Sequence, residues 1–106
     1  MSVFYRQAAR DDLIRQFRYY LVTVDRPAVA VRFREAVRQT VTVLRKRPLV
    51  GARYDTDDRR LRNLRSWPVT GFEAIRIYYL ADESGLQIIR ILHGRRDVRR
   101  ILENPS

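Results

Sequence analysis

The sequence predicts an α+β fold: an N-terminal strand, an antiparallel helical hairpin on one face of a small, mainly antiparallel sheet (β-α-α-β-β-β), and a short C-terminal helix. Three observations carry this reading. Two consecutive stretches repeat apolar residues with a helical period. Three later stretches alternate apolar and polar residues, with short turn sequences between them. No repeat, linker or low-complexity tract divides the 106 residues, so they form a single domain, 1–106, around one core.

Residues 2–8, SVFYRQA, predict a short strand with Val3 and Tyr5 on one side and Phe4 and Arg6 on the other. Ala8 and Ala9 open the first helix. Asp11 and Asp12 fall in its first turn, where negative charge suits the helix dipole. Leu13, Phe17, Tyr20, Leu21 and Val24 then share one helical face, and the helix ends near VDRP. Pro27 suits the first turn of a second helix, with Asp25 or Arg26 as its cap. Val29, Phe33, Ala36, Val37, Thr40, Val41 and Leu44 make its buried stripe. Arg45, Lys46 and Arg47 lie at its C-terminal end, and Pro48 stops it. The connection between the helices is short, which makes them an antiparallel hairpin.

Residues 48–60 mix proline, glycine and charge without a period and predict a loop. The segments LRNLRSWPV, FEAIRIYYL and LQIIRILH follow, joined through TG and ADESG. Three strands with such turns form a meander. Pro68 lacks a backbone donor and marks a strand end or edge. Residues 96–103 suit a short closing helix. With the hairpin on one face of the sheet, the other face stays partly open. Arg65, Arg76 and Arg90 on that face would line a shallow basic groove.

The chain has 22 basic and 12 acidic residues, a net charge of +10, and Lys46 is its one lysine. Such a surplus calls for an acidic partner: nucleic acid, an anionic surface or an acidic protein. An arginine-rich genome would give the same count without a functional meaning. No cysteine is present, which removes disulfides, thiol catalysis and thiolate metal sites. A single histidine argues against a histidine-based metal site, and nothing calls for a cofactor. No apolar run approaches the ~20 residues that span a bilayer, and the N-terminus does not read as a signal peptide. The expectation is a cytoplasmic protein with no membrane partner.

Several segments, taken in order, resemble the ParE/RelE superfamily of bacterial toxins. They are Ala9-Arg10-Asp11-Asp12-Leu13 at the first helix, Leu44 to Pro48 and Gly51 closing the second, Leu61 to Leu64, Ile77-Tyr78-Tyr79, and Ile91 to Asp97, ILHGRRD. The last is more similar to the ParE branch. The resemblance covers nearly the whole chain. It implies a toxin of a type II toxin–antitoxin module, of the kind linked to plasmid stabilisation. An acidic, ParD-like antitoxin would hold it inactive in a hetero-oligomer. ParE-like members inhibit DNA gyrase by binding; RelE-like members cut messenger RNA on the ribosome. A third possibility is an inactive relative acting as a corepressor.

For inhibition by binding, Arg95, Arg96, Arg99 and Arg100 are the expected target-binding residues, and the turn is expected to aim Arg95 and Arg96 at the open face. Tyr20, Arg65, Trp67, Arg76, Tyr78 and Arg90 are the expected antitoxin contacts. Trp67 reads equally as a partner anchor or as a plug for the sheet edge. If the chain were a ribonuclease, Arg65, Arg76, His93 and Arg95 would supply the acid–base and phosphate-binding groups. The terminal DVRRILENPS lacks the tyrosine or histidine that such nucleases tend to place there. His93 reads more readily as a turn residue, bonding a nearby carbonyl or Asp97. Gly94 would supply an unusual backbone angle, and Asp97 would cap the last helix. Truncation after Asp97 is expected to abolish gyrase inhibition while sparing antitoxin binding.

Overall fold

The computed structural model describes residues 1–104. Its elements are β1 (Val3–Tyr5), α1 (Gln7–Arg18), α2 (Pro27–Lys46), β2 (Ala52–Arg53), β3 (Arg65–Val69), β4 (Phe72–Asp82), β5 (Gly85–His93) and α3 (Val98–Glu103). The five strands form one sheet in the order β1-β5-β4-β3-β2. The meander is antiparallel, whereas β1 pairs with β5 in parallel, Val3 opposite Leu86 and Tyr5 opposite Ile88. The segment expected as a plain loop over 48–60 also contributes β2, which pairs with Arg65 and Ser66.

The helical hairpin covers one face as expected. Phe33, Ala36, Val37, Val41 and Leu44 of α2 pack with Ala9 of α1 on Ile75, Ile77, Tyr79, Ile88 and Ile91. Burying each large apolar side chain is worth about 1.5–3 kcal/mol, so this stripe is the main source of stability. Thr40 is the polar member of the stripe. Its hydroxyl donates to the Ala36 carbonyl at 2.6 Å and accepts the Thr70 amide at 3.1 Å. One side chain thereby ties α2 to the β3–β4 turn.

The turns follow their chemistry. Gly71 adopts φ +82, a left-handed value that a β-carbon disfavours. Asp82 Oδ1 accepts from the Ser84 amide and hydroxyl and from the Gly85 amide, closing the second hairpin. Pro27 occupies the start of α2; its N-cap, Arg26, makes no side-chain capping bond.

Three expectations need correction. The first helix begins at Gln7, so Asp11 and Asp12 lie beyond its first turn, and Asp12 is buried. A five-residue π-helical turn, Tyr19–Thr23, follows α1. It shifts the helical phase, so Leu21 and Val24 are exposed instead of joining the core. Finally, the second sheet face is not open. Leu61, Leu64, Tyr78, Ile89, Leu92 and Leu102 form a second core there. The segment after β2 and the helix α3 cross that face and cover it. Among the described residues, no helix is long and apolar enough to cross a membrane.

Candidate functional site

The chain leaves β5 through a tight cationic turn. The Gly94 amide donates to the Ala74 carbonyl at 2.7 Å, and the Arg96 amide donates to the His93 carbonyl at 3.1 Å. His93 Nδ1 accepts the Arg95 amide at 3.1 Å, so this ring nitrogen holds the turn. The bond expected to Asp97 is replaced by this one. Gly94 is not among the residues with positive φ, so its expected backbone role is not observed. Asp97 does cap α3: its Oδ1 accepts the Arg100 amide at 3.3 Å.

This turn and the outer side of α3 present four exposed arginines. Among the described residues, the side chains of Arg95 and Arg96 have no partner. Arg100 sits 3.5 Å from Asp97 across a mostly exposed pair. Arg99 donates to Glu103 at 3.2 Å and to the Asp55 carbonyl at 3.3 Å, and lies 5.6 Å from the Tyr54 ring centre. Exposed pairs of this kind are worth about 0–1 kcal/mol, so they do not hold the cations back from an acidic partner. The inner side of the same helix is apolar: Leu102 is buried, with Val98 and Ile101 half-buried beside it.

The three strand arginines expected to line a groove, Arg65, Arg76 and Arg90, are engaged inside the fold. Arg76 donates to the Ser66 hydroxyl at 3.1 and 3.0 Å and to the Ser66 carbonyl at 3.3 Å. Arg90 grips Asp12 with two bonds, at 2.7 and 2.8 Å. That carboxylate also accepts the Ile91 amide at 3.0 Å and Arg15 at 3.1 Å. Here β1 has already ended, so Asp12 substitutes for a strand along the edge of β5. The bonds to Asp12 raise the Arg90 pKa further, burial opposing. Arg65 donates to the Gly51 carbonyl at 2.8 Å and to the Leu49 carbonyl at 3.3 Å.

These arginines do not share a face. Arg65 stands opposite Tyr79, which belongs to the helix-covered core. Arg76 stands opposite Leu92, and Arg90 opposite Tyr78, both in the second core. The expected shallow basic groove is therefore absent, and the set Arg65, Arg76, His93 and Arg95 does not converge on one phosphate. Tyr78 is 5% exposed, so it is a core residue instead of an antitoxin contact. Burial raises its hydroxyl pKa, with Arg76 partly offsetting the effect. Tyr20 and Trp67 are half-buried at the rim of the first core. Tyr20 lies against Phe33 and Phe72, with ring centres at 5.6 and 5.7 Å. Trp67 stands opposite Ile77 on β3, beyond the residues that β2 covers. Asp12 and Ser66 were missed as the partners of Arg90 and Arg76, and the Leu49 and Gly51 carbonyls as those of Arg65; no local spacing relates them.

Comparison with known proteins bears on this surface. The family described as ParE toxin of type II toxin-antitoxin system, parDE, matches residues 3–98. That span holds the whole sheet and both long helices and stops at the first residue of α3. A solved structure of the chromosomal ParDE TA system from P. aeruginosa is similar in fold. It has a TM-score of 0.69 and 19% identity, covering 88% of this chain and 95% of that chain. No curated protein matches the chain.

Proposed function

The chain belongs to the ParE toxin family of type II toxin–antitoxin systems, and we propose that it inhibits DNA gyrase by binding, through Arg95, Arg96, Arg99 and Arg100. One observation carries this reading: these four guanidiniums are exposed on a single turn and helix, while Arg65, Arg76 and Arg90 are engaged within the fold. Forked guanidiniums suit carboxylates and phosphates, and no bond chemistry by the chain is required. An acidic, ParD-like antitoxin neutralises the toxin in a cytoplasmic hetero-oligomer, with Tyr20 and Trp67 as amphipathic contacts. Residues 1–106 act as one domain.

The test is charge reversal instead of truncation. Removing residues after Asp97 deletes Leu102 and uncovers the second core, so loss of activity would then report unfolding. Arg95→Glu with Arg96→Glu leaves that core intact. Purified wild-type chain is expected to block gyrase supercoiling and accumulate cleaved DNA. The double variant should lose both effects and keep its melting midpoint. A double variant as potent as wild type would remove these residues from the mechanism. Cuts in ribosome-bound message with gyrase unaffected would move the chain to the ribonuclease class, and normal growth on expression without antitoxin would make it an inactive relative.

A further inference from the structure

Leu49 is 70% exposed, more than any other large apolar side chain among the described residues. It lies at the tip of the loop joining α2 to β2. The backbone on both sides of it is held from beneath. The Tyr79 hydroxyl donates to the Pro48 carbonyl at 2.8 Å and accepts the Gly51 amide at 2.9 Å. Arg65 binds the Leu49 and Gly51 carbonyls, and the Val50 amide donates to the Arg47 carbonyl at 3.0 Å. A β-carbon at Gly51 would meet the Tyr79 hydroxyl oxygen at 2.5 Å, so only glycine lets the backbone rest on that ring. Two side chains from the sheet thus fix a loop whose apolar tip points into water. A loop already ordered in this way loses little entropy when a partner arrives.

Its surroundings select the partner. Arg45, Lys46, Arg47 and Arg53 flank the tip in sequence, Arg45 bonded to the Met1 carbonyl and Arg53 to Asn63, and no acidic residue lies between Leu44 and Tyr54. A second copy of this chain would bring another +10 of charge against it. We propose that the Arg47–Gly51 loop is the anchor point for the acidic segment of the antitoxin, with Leu49 as the apolar contact and Tyr79 and Arg65 as positioning residues. This rests on the antitoxin partnership given above. The segment supplies carboxylates for the flanking cations and an apolar pocket for Leu49, and it orders on binding. Tyr79 and Arg65 hold the loop from the helix-covered face, whereas α3 covers the other. The loop and the terminal arginines are therefore separate surfaces.

The experiment titrates the candidate antitoxin, the purified product of the gene adjoining this chain's, into wild type, Leu49→Ala and Leu49→Asp by calorimetry. Affinity should fall at least about tenfold for Ala and about a hundredfold for Asp, as for a central apolar anchor. The melting midpoint and gyrase inhibition should stay at the wild-type level. Tyr79→Phe, assayed below its own melting midpoint, should also weaken the complex, and Leu49→Ala should then cost less than it does alone. Unchanged affinity in Tyr79→Phe, or losses that simply add to those of Leu49→Ala, would overturn its positioning role. Wild-type affinity in Leu49→Asp overturns the anchor, as does loss of gyrase inhibition with antitoxin binding intact. If the wild-type chain does not bind the antitoxin, the partnership itself fails, and the anchor with it.

Discussion

At the scale of the residue, Asp12 has the most to lose. It is 2% exposed and accepts from Arg90, Arg15 and the Ile91 amide. Asp12→Ala leaves a guanidinium and a strand amide without their acceptor, and should cost about 3–5 kcal/mol in chemical denaturation. Asp12→Asn keeps an acceptor for Ile91 and should cost less; equal losses would show that the charge is irrelevant. Tyrosines give the alkaline limit. Tyr5, Tyr20, Tyr78 and Tyr79 all have pKa values raised above the ordinary 10.0, burial being the first cause in each. The unfolded chain ionises first. The stability these hydroxyls contribute is therefore complete below pH 10 and is lost as pH climbs toward the higher folded values. The denaturation midpoint should drop on crossing about pH 10, and Tyr79→Phe should flatten that drop.

Among the elements, α3 packs with one side and exposes arginines on the other. Leu102→Ala should destabilise the protein by about 2–4 kcal/mol, measured by urea titration, because a buried leucine leaves a cavity. Arg99→Ala on the outer side should shift the midpoint by no more than about 0.5 kcal/mol. An equal effect of the two would contradict the packing described. The contrast between its sides also shows where the sequence was legible. The α2 stripe, Pro27 and the TG and ADESG turns are local patterns, and each could be read in place. The second core could not, because Leu61, Leu64 and Leu102 lie in arginine-rich stretches too short for a period. Arg65 shares its face with Trp67 and Val69, but alternation within one strand does not say which face the helices cover. The π-helical turn broke the phase that assigned Leu21 and Val24 to the core. Among the site residues, Arg95 and Arg96 were expected to be aimed by their turn at an open sheet face; that face is covered, and the four terminal arginines are exposed on the turn and the outer side of α3. The Asp12–Arg90 pair, 78 positions apart, left no trace in spacing.

For the whole molecule, charge and topology matter most. At +10, association with any acidic partner should weaken as salt rises, with the on-rate falling first. Arg95→Glu with Arg96→Glu should give a shallower salt dependence for the target, measurable by surface-binding kinetics. The parallel pairing of β1 with β5 has a temporal consequence. The meander can assemble from neighbouring segments, but the place of β1 does not exist until β5 is there, so its long loop closes late. Carboxylate and guanidinium at positions 12 and 90 are then expected to meet after the rate-limiting barrier. Stopped-flow measurements on Asp12→Asn should therefore show a faster unfolding limb and an almost unchanged refolding limb, marking that clasp as the part of the fold that governs its lifetime rather than its birth.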